Sequence, residues 1–127
     1  MEFDYTVTTP KTFDEAIHSV RDEIAHAGMQ VLHVHDVQKT LSEKGFEREP
    51  FSIIEFCNAK FANEFLNADI KIGLCLPCKI NVYVTDKHTF ISGMRPIVLP
   101  QFFPHADLGD RPQEIDRMIQ NIINNAK

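Results

Sequence analysis

The sequence predicts an α+β fold: a five-stranded, mainly antiparallel sheet with two to three helices packed on one face, in the order β-α-β-(α)-β-α-β-β-α. Three observations carry this. Phe3, Tyr5 and Val7, and later Ile80, Val82 and Val84, alternate with polar residues, the period-two mark of a half-buried strand. Phe13, Ile17, Val20 and Ile24, and later Ile115, Met118, Ile119 and Ile122, recur at steps of three and four, the apolar stripe of a helix. Finally, two strand-like runs are separated only by Asp86 and Lys87, so they must pair antiparallel.

The first strand is read over Glu2 to Thr9 and ends at Pro10. Thr12 is a good helix N-cap, since its hydroxyl can accept an orphan amide while Glu15, three residues on, reaches back. The stripe from Phe13 to Ala27 then runs to Gly28, a residue suited to the left-handed conformation that stops a helix. Met29 to His35 forms the second strand, with Leu32 and Val34 on one face and Val31, His33 and His35 on the other. Asp36 caps a short helical segment through Val37 and Leu41, closed by Gly45.

Pro50 precedes the third strand, Phe51 to Cys57. Asn58 caps the next helix, on which Phe61, Phe65 and Leu66 share a face. The fourth strand spans Cys78 to Thr85 and its hairpin partner His88 to Met94, although the turn lacks an Asn-Gly signal. Pro96, Pro100, Pro104 and Pro112 mark Arg95 to Pro112 as a long surface connection. Within it Phe102, Phe103 and His105 either form a lid over a pocket or pin the loop to the core. Asp110 with Gln113 begins the last helix.

Helices on one side would cover Leu32, Val34, Ile80, Val82 and Val84. The other face would carry Val31, His33, His35, Asn81 and Tyr83, a mixed surface suited to a homodimer or a ligand.

A chain of 127 residues is the size of one domain, read here as 1–127. Its 43% hydrophobic and 24% charged residues are ordinary for a globular protein. With a net charge of −5 and its thirteen basic residues scattered, it is not expected to bind nucleic acid. The N-terminal residues lack the apolar core of a signal peptide, and no run approaches the length of a membrane span. Three cysteines without an export signal point to free thiols in the cytoplasm.

Cys75 and Cys78 form a C-x-x-C motif, but a strand follows it instead of the helix N-terminus that activates a redox thiol. The same pair, with Cys57 as a third ligand and a histidine as the fourth, could hold zinc or another soft metal. Buried cysteines are equally good small hydrophobes. His33 and His35 lie on one strand face about 7 Å apart, suited to metal ligation, to acid-base work, or simply to solvent. Glu55 and Cys57 share a face of the third strand. In regular strands Cys78 would point with Ile80 and Val82 to the core and Cys57 to the opposite side. Phosphate-binding loops, nucleophile elbows and zinc-protease helices are absent.

Four segments in order resemble the family known as domain of unknown function 302. They are Val31 to Val37, Leu41 to Gly45, Glu55 to Asn58, and Leu76 to Lys79, within a similarity running from about Val7 to Pro96. The resemblance implies a compact α+β fold, usually a dimer, from bacteria and archaea, without an accepted reaction. Cys57 and Asn58 match the family's Cys-Asn-Pro step, except that Ala59 replaces the proline. Pro77 and Cys78 match its Pro-Cys step, whereas Cys75 stands where the family has an aliphatic residue.

The resulting expectation is a homodimeric binding module rather than an enzyme. Its Cys/His pocket would take a small ligand or soft metal at Cys57, Asn58, Cys78, His33, His35 and Glu55, with Cys57 and Cys78 as metal ligands. The alternatives are a thiol enzyme or redox carrier using Cys57 or Cys78, and an interaction protein with structural cysteines.

Overall fold

The computed structural model describes residues 2–127; Met1, the first residue of the expected domain, lies outside the described residues. The five expected strands are β1 (Asp4–Thr9), β2 (Gln30–Asp36), β3 (Phe51–Cys57), β4 (Cys78–Thr85) and β5 (His88–Met94). They form one sheet in the order β1-β5-β4-β3-β2, every neighbouring pair antiparallel. The helices are α1 (Phe13–His26), α2 (Val37–Ser42), α3 (Ala59–Ala68), α4 (Leu99–Phe102) and α5 (Arg111–Ala126).

The reciprocal cap of α1 is present: the Glu15 amide donates to Thr12 Oγ1 at 3.2 Å, and the Thr12 amide to Glu15 Oε1 at 2.9 Å. Gly28 leaves the helix with φ +79°, the left-handed conformation the sequence called for. Ala16, Val20 and Ile24 of α1 and Ile115, Ile119, Ile122 and Ile123 of α5 bury themselves against Ile54, Phe56, Ile80, Val82 and Ile91 of the sheet. Phe61 and Phe65 of α3 close one end of this core.

The approach of α5 depends on Gly93, where a Cβ would stand 3.1 Å from both Ile119 Cγ2 and Ile123 Cδ1. A paired charge holds the same helix. Arg95 donates through Nε and Nη2 to the two carboxylate oxygens of buried Asp116, at 3.2 and 3.1 Å, and Gln120 adds a bond of 2.7 Å to Oδ2. Such a two-pronged pair fixes orientation as well as distance.

Two local expectations are corrected. The β2–β3 register shifts between Val31 and His33, so Val31 pairs with Phe56, His33 with Glu55 and Val34 with Ile54. Leu32 is the extra residue of a bulge, which places Val31 beside Val34 on the core side and leaves Leu32 52% exposed. Arg95 to Pro112 is not a bare surface connection. A 3₁₀ turn, Pro96–Val98, leads into α4, and Val98, Leu99 and Leu108 are buried. Proline fits there because the first turn of a helix needs no amide donor from it. A further 3₁₀ turn at Ile70–Cys75 is too short for any periodicity to reveal. Asp110 does precede α5, but its side chain makes no capping bond.

Asp86 and Lys87 both take positive φ, 50° and 64°, the geometry of a two-residue hairpin turn without its usual residues. The helices leave the second sheet face uncovered. Across it Phe51, Tyr83 and Phe90 stack ring on ring, with centroids 5.4 and 5.3 Å apart. Beside them Asn81 Oδ1 is buried with no hydrogen-bond partner among the described residues.

Candidate functional site

At one end of the sheet, β3 and β4 run side by side with Phe56 opposite Cys78. Cys57 ends β3, and Asn58 turns the chain into α3 by accepting the Phe61 amide on Oδ1 at 3.2 Å. The 3₁₀ turn Ile70–Cys75 brings the chain back, and Leu76 and Pro77, joined by a cis peptide bond, lead into β4. Between these segments lies a cleft of about 320 Å³, walled by Phe56, Cys57, Asn58, Phe61, Ala62, Phe65, Leu66, Gly73, Leu76, Pro77, Cys78 and Ile115. Among the described residues no charged side chain lines it. Arg111 at the start of α5 donates through Nε to Glu64 Oε2 on α3 at 2.8 Å, tying together two elements that frame the cleft.

Cys57 and Cys78 therefore line one cleft, contrary to the parity of regular strands. Cys78 keeps the alternation of β4, on the core side opposite Phe56, and it is Cys57, where β3 turns into α3, that departs from it. Burial pushes the Cys78 thiol up to about 11; the neighbouring Cys57 adds to the rise, and Lys79 opposes it. At neutral pH Cys78 is a protonated thiol. Cys75 and Cys78 line a second, smaller cavity of about 70 Å³ that shares Phe65, Leu76, Pro77, Cys78 and Ile115 with the cleft and adds Lys79, Met94 and Leu99. All three cysteines are free.

The other expected residues lie elsewhere. His33 and Glu55 are register partners facing away from the helices, and His35 Nε2 shares a hydrogen bond with Glu55 Oε1. The His33 and His35 rings meet edge to face with centroids 4.3 Å apart. The six candidates thus split into two groups. Cys57, Asn58 and Cys78 line the cleft, while His33, His35 and Glu55 form a cluster on the uncovered face.

A single Cys/His pocket does not form, because the pleat sends the imidazoles to the side opposite the cleft. Among the described residues no group of three or more His, Cys, Asp and Glu is placed to hold a metal ion. Two thiols fall short of the four ligands that a structural zinc site uses.

The apolar walls were only partly readable. Phe61, Phe65 and Leu66 share one expected helix face and Ile115 belongs to the stripe of the last helix, whereas Ala62 and Gly73 carry no signal of their own. Phe102, Phe103 and His105 do not line the cleft: Phe103 packs on the core and Phe102 is 69% exposed. Leu99 reaches the smaller cavity in their place.

Comparison with known proteins adds the following. The family model described as "Domain of unknown function DUF302" matches residues 5–126. The chain is similar to the crystal structure of an uncharacterized conserved protein, DUF302, from Bacillus stearothermophilus. The TM-score is 0.93 and the identity 27%, over 100% of both chains. No curated protein matches.

Proposed function

Because the chain belongs to the DUF302 family, which brings a fold but no reaction, we propose from its own geometry that it is a binding module. Its ligand is a small organic molecule held in the cleft between Cys57 and Cys78. The observation that carries this reading is the cleft itself. About 320 Å³ of space walled by apolar side chains, with a few polar atoms among them, is the usual form of a small-molecule site.

A soft metal at Cys57 and Cys78 is the weaker form of the reading, since the histidines that would complete the set face the other way. A thiol enzyme is weaker still, because nucleophilic attack needs a thiolate and Cys78 is held as the thiol.

We also propose that the uncovered sheet face pairs two copies of the chain. Half-buried Phe51, Tyr83 and Phe90 form a continuous aromatic strip there. Free thiols suit a reducing cytoplasm. No described helix is long and apolar enough to cross a membrane.

The test is thermal denaturation with a panel of small apolar fragments, comparing the native chain with Ala62→Phe, which fills the cleft. Fragments should raise the melting temperature of the native chain and leave that of Ala62→Phe unmoved. Equal shifts in both would remove the cleft as the site.

A further inference from the structure

Two strand ends border the cleft, and each carries a free thiol. We infer that Cys57 and Cys78 are a redox modification site, an intramolecular disulfide formed reversibly with a hydroperoxide as the oxidant. The bridge would form whatever the cleft binds.

Register sets the reach. Cys78 stands opposite Phe56 across the β3–β4 ladder, so Cys57 is displaced from it by one residue. Directly opposed antiparallel residues have Cα atoms about 4.5–5.5 Å apart, and one residue along a strand adds about 3.4 Å at right angles. The Cα atoms of Cys57 and Cys78 are therefore about 6 Å apart, within the span of a disulfide. A displacement of one residue ordinarily sends two side chains to opposite faces. Both of these line the cleft, because Cys57 lies where β3 gives way to α3. Of the other two cysteines, it is Cys57 whose charge acts on Cys78. Both thiols are half-buried, so neither is sealed from a small oxidant.

The chemistry balances in two steps. A hydroperoxide gives its terminal oxygen to Cys57: the O–O bond breaks, an S–O bond forms, and the thiol proton leaves with the alcohol. Cys78 then attacks the resulting sulfenic acid. The S–S bond forms, the S–O bond breaks, and the hydroxyl departs with the Cys78 proton as water. Burial holds Cys78 as the thiol at neutral pH, a poor nucleophile towards peroxide, which leaves the first step to Cys57. Two equivalents of a small thiol reverse the bridge by exchange and leave as their own disulfide. In a reducing compartment such a bridge is transient, as befits a sensor.

The bridge would act on the cleft wall. The segment between its ends, 58–77, contains α3 and the 3₁₀ turn, and gives Asn58, Phe61, Ala62, Phe65, Gly73 and Leu76 to the lining. Tying the two ends of a segment together removes open conformations otherwise available to it. Peroxide would thus set how freely the cleft opens.

Treatment of the reduced native chain with a small excess of tert-butyl hydroperoxide at pH 7 tests this, read by thiol titration and by peptide mapping without reductant. Of the three free thiols, those of Cys57 and Cys78 should be lost and that of Cys75 kept. The map should show one Cys57–Cys78 cross-linked pair, which dithiothreitol removes. Amide hydrogen exchange across α3 should slow roughly threefold or more in the bridged chain. Cys75→Ser should bridge as the native chain does, and Cys57→Ser should not.

A Cys75–Cys78 bridge, a bridge between two chains, or Cys57 carried to the sulfinic acid with Cys78 still free would overturn the assignment. So would three free thiols after treatment. These readings use the native chain alone and hold even where a variant fails to fold. A bridged chain whose α3 amides exchange at the unbridged rate would overturn the control of the wall.

Discussion

Cys57, at the end of β3, and Cys78, at the start of β4, line one cleft, and the presence of the first helps to hold the second as a thiol. Two residues assigned to opposite sides of the sheet by regular alternation share a cleft because Cys78 keeps the core side, opposite Phe56, while Cys57 lies where β3 gives way to α3. The functional account follows from that shared cleft.

The Cys78 thiol, raised from about 9 to about 11, should resist alkylation at pH 8 in the folded protein and react once the chain is unfolded. Linkage gives the sign for stability. The fold favours the protonated thiol, so its contribution is fully present below pH 9 and is lost as pH rises towards 11. The loss is roughly 2 kcal/mol by pH 11. Urea denaturation across this range should show the decline in the native chain and a flatter profile in Cys78→Ala. Mass spectrometry after timed alkylation reads the reactivity directly.

Gly93→Ala should destabilise the fold. The added methyl group would stand 3.1 Å from Ile119 Cγ2 and Ile123 Cδ1, so these fully packed side chains must give way in a core with little room. Overpacking of this kind costs about 1–3 kcal/mol. Urea denaturation should show a lower midpoint at nearly unchanged slope.

Arg95→Ala should cost more than a surface ion pair would, about 3 kcal/mol, because it leaves buried Asp116 with only Gln120 as a partner. Arg95→Lys should recover part of this and not all, since an ammonium cannot reproduce the two-pronged contact. Chemical denaturation of both variants gives the comparison.

Most of the fold was legible because its signals are local. The Thr12 and Glu15 cap, the stripe from Phe13 to Ile24 and the alternation of Ile80, Val82 and Val84 each act within a few residues, and each does in the structure what the pattern says. The failures are those of register and direction. One extra residue at Leu32 turns Val31 to the core, which no spacing rule reveals. Half of the expected ligand set, Cys57, Asn58 and Cys78, lines one cleft. His33, His35 and Glu55 were grouped with it because strand pairing, which sends them to the other face, involves residues far apart in the chain. Ala62 and Gly73 of the cleft wall escape notice because alanine and glycine become a binding surface only through what they enclose.

The uncovered face should bring two chains together. Light scattering after size exclusion should give twice the chain mass for the native protein. Tyr83→Glu, which places a charge in the middle of the aromatic strip between Phe51 and Phe90, should give the single-chain mass with its helix content intact. A native protein already at single-chain mass would remove this proposal and leave the cleft untouched.

The account as a whole is tested most directly by methyl-resolved nuclear magnetic resonance of the native chain titrated with a stabilising apolar ligand. The expected result is saturable shifts at the methyl groups of Ala62, Leu66, Leu76 and Ile115, with those of Ile53 on the uncovered face unmoved. Shifts centred on Ile53, or none at the four cleft methyls when the ligand is saturating, would contradict it.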